Sequence, residues 1–178
     1  MAAGSGCVND RRFEDEVLPY LDAAYNLARW LVRDEHVAED LVQDAFLRAF
    51  RYFSSFRGDD ARPWLLGIVR NRCYTWFAQQ KRAAEFELDV EGADAAGLDG
   101  EGLPQTPETL LARKVERAQV RDAIARLPVA FREVLVLREI EELPYEDIAR
   151  VMEIPKGTVM SRLARARRQL QEMLEETR

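Results

Sequence analysis

The chain has 178 residues, with 26 Lys+Arg against 32 Asp+Glu, a formal charge of −6 and 47% hydrophobic residues. That length accommodates one domain or two small ones, and the apolar content is enough for folding despite the high charge. Two cysteines (Cys7, Cys73) and one histidine (His36) cannot build a disulfide framework or a four-ligand zinc site.

Met1 to Asp10 lacks a basic segment followed by an apolar one, and no stretch reaches the roughly 20 apolar residues of a membrane span. A cytoplasmic location is therefore expected. Pro19 precedes an apolar stripe of Leu21, Ala24, Ala28 and Leu31 with Tyr25 and Val32, consistent with a proline in a first helical turn. From His36 to Phe53, Ala38, Leu41, Val42, Ala45, Phe46, Ala49 and Phe50 keep the i, i+3, i+4, i+7 spacing of a helix buried on one face. Asp34 is the expected N-cap. The other face carries Glu39, Asp40, Gln43 and Asp44, where DNA would be repelled and a basic protein surface could dock.

A third helix is expected from about Asp60, with Trp64, Leu65, Ile68 and Trp76 on one side. Its stretch from Arg70 to Arg82 has four bases, no acid, and Tyr74, Trp76 and Phe77 among them. Cations beside flat rings suit single-stranded nucleic acid. Residues 83–112 then hold eight acids and no base, with Gly92, Gly97, Gly100, Gly102, Pro104 and Pro107. That composition reads as a flexible acidic linker between lobes at 1–82 and 113–178.

The second lobe reads as helical too. After a break at Leu127-Pro128, a short helix at Tyr145–Met152, a tight turn at Glu153-Ile154 and a longer segment from Pro155 to Leu170 make a helix-turn-helix pattern. Segment 155–170 contains Lys156, Arg162, Arg165, Arg167 and Arg168 and no acid, which points to phosphate and base contacts, with Thr158 and Ser161 as short donors. Nothing alternates like a strand, so the fold class is all-α. The two acid-free segments sum to +9 in a chain of −6, so the free protein is expected to bind DNA poorly.

Several of these runs carry a family resemblance. Ala38-Glu39-Asp40-Leu41-Val42-Gln43-Asp44-Ala45-Phe46-Leu47-Arg48-Ala49-Phe50, Phe56-Arg57-Gly58-Asp59, Trp64-Leu65, Asn71, Leu143-Pro144-Tyr145-Glu146-Asp147-Ile148-Ala149 and Ile154 to Leu163 stand in the order and spacing of a bacterial RNA polymerase sigma factor. The resemblance is to the extracytoplasmic-function group and covers about 150 residues.

It implies that the first lobe binds core polymerase and the minus-10 element, and that the second binds the minus-35 element. Asp40, Gln43 and Asp44 would dock on the β′ clamp, and the β flap would be a further polymerase contact. Phe56, Arg57, Gly58 and Asp59, with Trp64, Arg70, Asn71 and Arg72, would hold the minus-10 strand. Extruding a base there costs a few kcal/mol, offset by stacking and hydrogen bonds. Lys156, Thr158, Ser161, Arg162 and Arg165 would contact the minus-35 element. The acidic linker would thread the RNA-exit path, and an anti-sigma factor is implied as a regulator.

Three positions depart from the family pattern. Gly67 and Met160 stand where basic residues are common, and Glu153 replaces a turn glycine, so that turn is expected to form without a positive-φ residue. A stand-alone helix-turn-helix regulator is the alternative, although it leaves the Gln43-Asp44 face unused. Neither a phosphate loop, a nucleophile beside a base nor metal-ligand spacing is visible, so no cofactor and no enzymatic activity are expected.

Overall fold

The computed structural model describes residues 11–86 and 107–176, with side chains described for 11–83 and 117–176. These residues contain helices, turns and no strand. Helix α1 spans 11–16, and a 3-10 turn at Leu18–Tyr20 with Pro19 at its start leads into α2, Leu21–Val32. Helix α3 is Glu35–Tyr52 and α4 is Ala61–Phe86. The second lobe comprises α5 (Pro107–Arg126), α6 (Val129–Leu135), a π turn (Val136–Ile140), α7 (Tyr145–Met152) and α8 (Lys156–Glu175).

Local chemistry explains the boundaries. The Asp34 carboxylate accepts the Val37 amide hydrogen at 2.9 Å, as the cap position predicts. The Asp60 carboxylate accepts from the Arg62 amide at 2.9 Å and opens α4 in the same way. Helix α4 runs into the stretch expected as linker, because Ala83, Ala84 and Glu85 favour helix. Helix α5 begins within that stretch as well, at Pro107-Glu108, a sequence suited to a first turn. The remainder of the expected linker, 87–106, lies outside the described residues, as does Cys7.

The first-lobe core is apolar: Ala24, Leu27, Ala28, Ala38, Ala45, Ala49, Leu65, Leu66, Val69 and Cys73 are fully buried. Two expected core positions are corrected. Leu21 is 47% exposed and Phe50 46%, while Leu27, outside the expected stripe, is fully buried. Both exposed residues sit at the margin of the apolar arc, where a helical period alone does not say how far the neighbour extends. Phe50 still meets Phe13 edge-to-face at 5.2 Å.

In the second lobe, Val159 and Leu163 of α8 are buried against α6 and α7 as expected. The α7–α8 turn corrects another expectation. Glu153 itself adopts the left-handed conformation at φ 54°, ψ 43°, ending α7 with its amide bonded back toward Ala149 and Arg150. A residue with a Cβ bears about 1 kcal/mol for that conformation, so the turn keeps the shape a glycine would give it.

The lobes pack on each other, chiefly through α4 against α7 and α2 against α6. Arg132 is buried, donating from Nη1 to the carbonyls of Ala125 (2.6 Å) and Leu127 (3.2 Å) and from Nη2 to that of Leu31 (3.0 Å). Its guanidinium thus sits between the carbonyl ends of α2 and α5, where the helix dipoles favour a cation. Burial, with Arg33 nearby, pulls its pKa down to about 10, so it stays charged at neutral pH.

Candidate nucleic-acid interface

The loop between α3 and α4 is short and aromatic. Phe53 is buried and stacks on Phe56 at 6.1 Å with an 18° tilt, and Phe56 lies 4.8 Å from Trp64. Phe13 meets Phe53 edge-on at 5.4 Å, so a ladder of rings runs from α1 to Trp64. Gly58 makes room for this arrangement, since a Cβ there would fall 2.8 Å from the Phe56 ring. Arg57 folds back, donating to the carbonyls of Ser54 (2.6 Å) and Phe56 (3.1 Å), and so fastens the loop.

Phe56 and Trp64 border an open cleft of about 540 Å³. Of the residues expected at the minus-10 strand, Phe56, Arg57, Gly58, Trp64 and Asn71 line it. Asp59, Arg70 and Arg72 do not. Arg72 pairs with Asp44 across the α3–α4 contact, and Arg70 turns to the second lobe. Sequence reasoning missed Gly67 and Ile68 as lining residues. With Trp64 and Asn71 they form a 64, 67, 68, 71 stripe, one face of α4 at helical spacing, and that period could have found them. No atom lies within 4 Å of a Cβ built on Gly67, so this departure opens space on the cleft wall.

The acidic face lies on the exposed side of α3. Asp40 and Gln43 are exposed, whereas Asp44 is half-buried and pairs with Arg48 at 3.1 Å as well as with Arg72. The three residues are brought to one face, with Asp44 already neutralised by two arginines. Tyr74, one of the rings among the bases of 70–82, donates its hydroxyl to Glu133 at 2.9 Å and carries Arg70 over its ring at 4.4 Å. Burial, then the Glu133 charge, pushes the Tyr74 phenol up to about 12. Burial likewise raises the Glu133 carboxyl above the usual carboxylate range, against the pull of Arg70 and Tyr74.

The helix-turn-helix residues lie along α8. Lys156 is exposed and pairs with Glu146 of α7; Thr158 and Arg162 are half-buried, and Ser161 and Arg165 are exposed. The Arg165 guanidinium donates to the Ser161 carbonyl and hydroxyl at 3.3 and 3.4 Å. Arg167 is held by Glu139 at 2.6 Å. The run that reads as purely cationic in sequence is therefore offset in space by acids from neighbouring elements, with ion pairs at Lys156 and Arg167 and the Glu133 charge near Arg162. Among the described residues no cluster of His, Cys, Asp and Glu could hold a metal, and no helix is long and apolar enough to cross a membrane.

Known proteins resemble both lobes. Residues 17–83 match the family model for sigma-70 region 2, and residues 117–170 that for sigma-70 region 4. The RNA polymerase sigma-H factor of Pseudomonas aeruginosa is 37% identical over 169 residues, covering 93% of this chain and 87% of that protein. The ECF RNA polymerase sigma-E factor of Haemophilus influenzae is 38% identical over 154 residues, covering 84% of this chain and 79% of that protein. Among solved structures, the sigma factor RpoE of Bartonella quintana, in complex with the anti-sigma factor NepR, aligns with a TM-score of 0.75 at 28% identity. That alignment covers 94% of this chain and 99% of the other. CnrH, in complex with the cytosolic domain of CnrY, shares the fold with a TM-score of 0.65 at 24% identity over 94% of this chain and 90% of that one.

Proposed function

Because the chain belongs to the extracytoplasmic-function RNA polymerase sigma factors, we propose that it binds core polymerase in the cytoplasm and directs promoter-specific initiation by dividing DNA recognition between its lobes. A stand-alone helix-turn-helix regulator is set aside, because region 2 and region 4 both match, in order, over most of the chain. The observation that carries the division is the cleft bordered by Phe56 and Trp64: it offers stacking rings beside Asn71 and is open to solvent.

In this reading an unpaired minus-10 base enters the cleft, where ring stacking and hydrogen bonds offset the cost of extruding it. Gly58 and Arg57 hold the loop in shape, and Asp59 lies beside it. Arg70 and Arg72 supply strand phosphate contacts only after leaving Glu133 and Asp44. Asp40, Gln43 and Asp44 face the β′ clamp, and the second lobe meets the β flap. Lys156, Thr158, Ser161, Arg162 and Arg165 bind the minus-35 element, with phosphate contacts setting register. The acidic stretch between the lobes follows the RNA-exit path. Activity is withheld by an anti-sigma partner, and the chain performs no catalysis of its own.

Pull-down with core polymerase followed by run-off transcription on genomic templates from its source tests the proposal. Retention on core together with accurate initiation is expected. A chain that does not bind core, or a holoenzyme no more accurate than core alone, overturns it.

A further inference from the structure

An exposed apolar side chain is by itself ordinary on a protein surface. Met160 stands out by its place. It is 52% exposed, and among the described residues it is the one large apolar side chain exposed along α8. The core side of that helix is made by Val159, Leu163 and Ala166, so the helix is anchored by other residues.

The exposed side of α8 runs through Gly157, Met160, Ser161, Ala164, Arg165 and Arg168. Gly157, Met160 and Ala164 are spaced i, i+3 and i+7 and form one strip of it. By the helical turn of about 3.6 residues, Lys156 and Arg167 border that strip on one side, and Ser161, Arg165 and Arg168 on the other. Lys156 and Arg167 pair with Glu146 and Glu139, which leaves attraction to phosphate mainly to the Arg165 and Arg168 border. A Cβ on Gly157 would meet no atom within 4 Å, and Ala164 carries only a methyl. The thioether chain therefore rises above its neighbours in the strip, with open space beside it.

The strip and its borders differ in chemistry. Lysine and arginine donate hydrogen bonds and serine does both, whereas a thioether has no proton to donate and is a weak acceptor. Met160 supplies neither a phosphate contact nor a bidentate contact to a purine; it supplies an apolar, adaptable surface. In the major groove the apolar feature of a base edge is the C5 methyl of thymine, which the other three bases lack. Recognition helices present their N-terminal residues to base edges, and Met160 is the fifth residue of α8.

We propose that Met160 selects a thymine in the minus-35 element: its side chain packs on the thymine C5 methyl in the major groove, and the chain discriminates there against bases without that methyl. The proposal rests on the reading that α8 lies in that groove, and adds to it a residue that reads sequence without donating a hydrogen bond.

Start sites mapped by run-off transcription with the holoenzyme locate the upstream element. In a duplex of that sequence each thymine is replaced in turn by deoxyuridine, which keeps the pairing and the O4 acceptor and lacks only the methyl. Holoenzyme affinity for each duplex is measured by competition binding over a range of salt. One replacement is expected to weaken binding about fourfold, the effect of leaving one methyl unburied, with the slope of log affinity against log salt unchanged. Holoenzyme carrying Met160→Ala should bind the thymine and uracil duplexes equally, and Met160→Leu should restore most of the preference. A residue that only supports the fold would instead weaken both duplexes by the same factor.

The proposal is overturned if no thymine of the element responds to loss of its methyl, or if Met160→Ala keeps the preference. A holoenzyme that initiates nowhere accurately overturns the functional reading and this proposal with it, whereas accurate initiation without methyl dependence overturns this proposal alone.

Discussion

The first lobe offers a shaped cleft, the second an open helix face. Around the cleft the cations are committed: Arg57 to the loop carbonyls, Arg72 to Asp44 and Arg70 to Glu133. Along α8, Arg165 is exposed, and Lys156 and Arg167 pair with acids of other elements. The interiors differ too: both lobes bury apolar side chains, but among the described residues the four buried charged ones all belong to the second. Shape recognition tolerates little change in volume, whereas charge recognition yields gradually to salt. The two lobes should therefore fail differently.

The largest contrast to test is the dry first-lobe interior. Burial, then the Glu133 charge, pushes the Cys73 thiol from 9.0 up to about 12. In a Cys7→Ser chain at pH 8, thiol reagents should label Cys73 about a thousandfold more slowly than in the urea-unfolded chain, from the thiolate fraction alone. Comparable rates would break the contrast. The sign in alkali follows: the unfolded thiol ionises above pH 9 while the folded one stays protonated. Stability should therefore fall from about pH 9 to 12, by up to about 1.4 kcal/mol per pH unit from this group.

Next in size is Gly58→Ala, which drives a methyl into the Phe56 ring. Run-off initiation by the holoenzyme should drop about tenfold or more, the effect of losing roughly 1.4 kcal/mol of transition-state stabilisation, with little change in Tm. Unchanged initiation would remove the cleft from the reaction. Arg162→Ala and Arg165→Ala should act more gently, each lowering the slope of log affinity against log salt on minus-35 duplex by about 1. A loss confined to one base pair and independent of salt would instead mark base readout.

The smallest effects concern backbone. Glu153→Gly should stabilise by about 1 kcal/mol by relieving a left-handed residue with a Cβ. Gly67→Ala should gain a similar amount in helix propensity, since no atom crowds the added methyl. Urea denaturation of the full chain measures both, and a loss in either case would mean that the local geometry is differently constrained.

What the sequence revealed follows from how local each feature is. The Asp34 cap, the buried face of α3 and the inward Val159 and Leu163 depend on residues within two turns of one another, and all are legible. Phe50 and Leu21 were misplaced because exposure at the edge of an apolar arc is decided by another helix. Glu153 escaped because a left-handed glutamate obeys no composition rule. Most of the cleft loop was legible as a motif, but the commitments of Arg70 and Arg72 join positions far apart in the chain or on different helices, and no periodicity encodes them.

The arginine held between the carbonyl ends of α2 and α5 has an uneven tolerance to replacement. Its acceptors at residues 31, 125 and 127 are main-chain oxygens, present whatever side chain those sites carry. Drift at those three sites leaves the acceptors in place, whereas Arg132 supplies a planar fork that lysine, a single point donor, cannot reproduce.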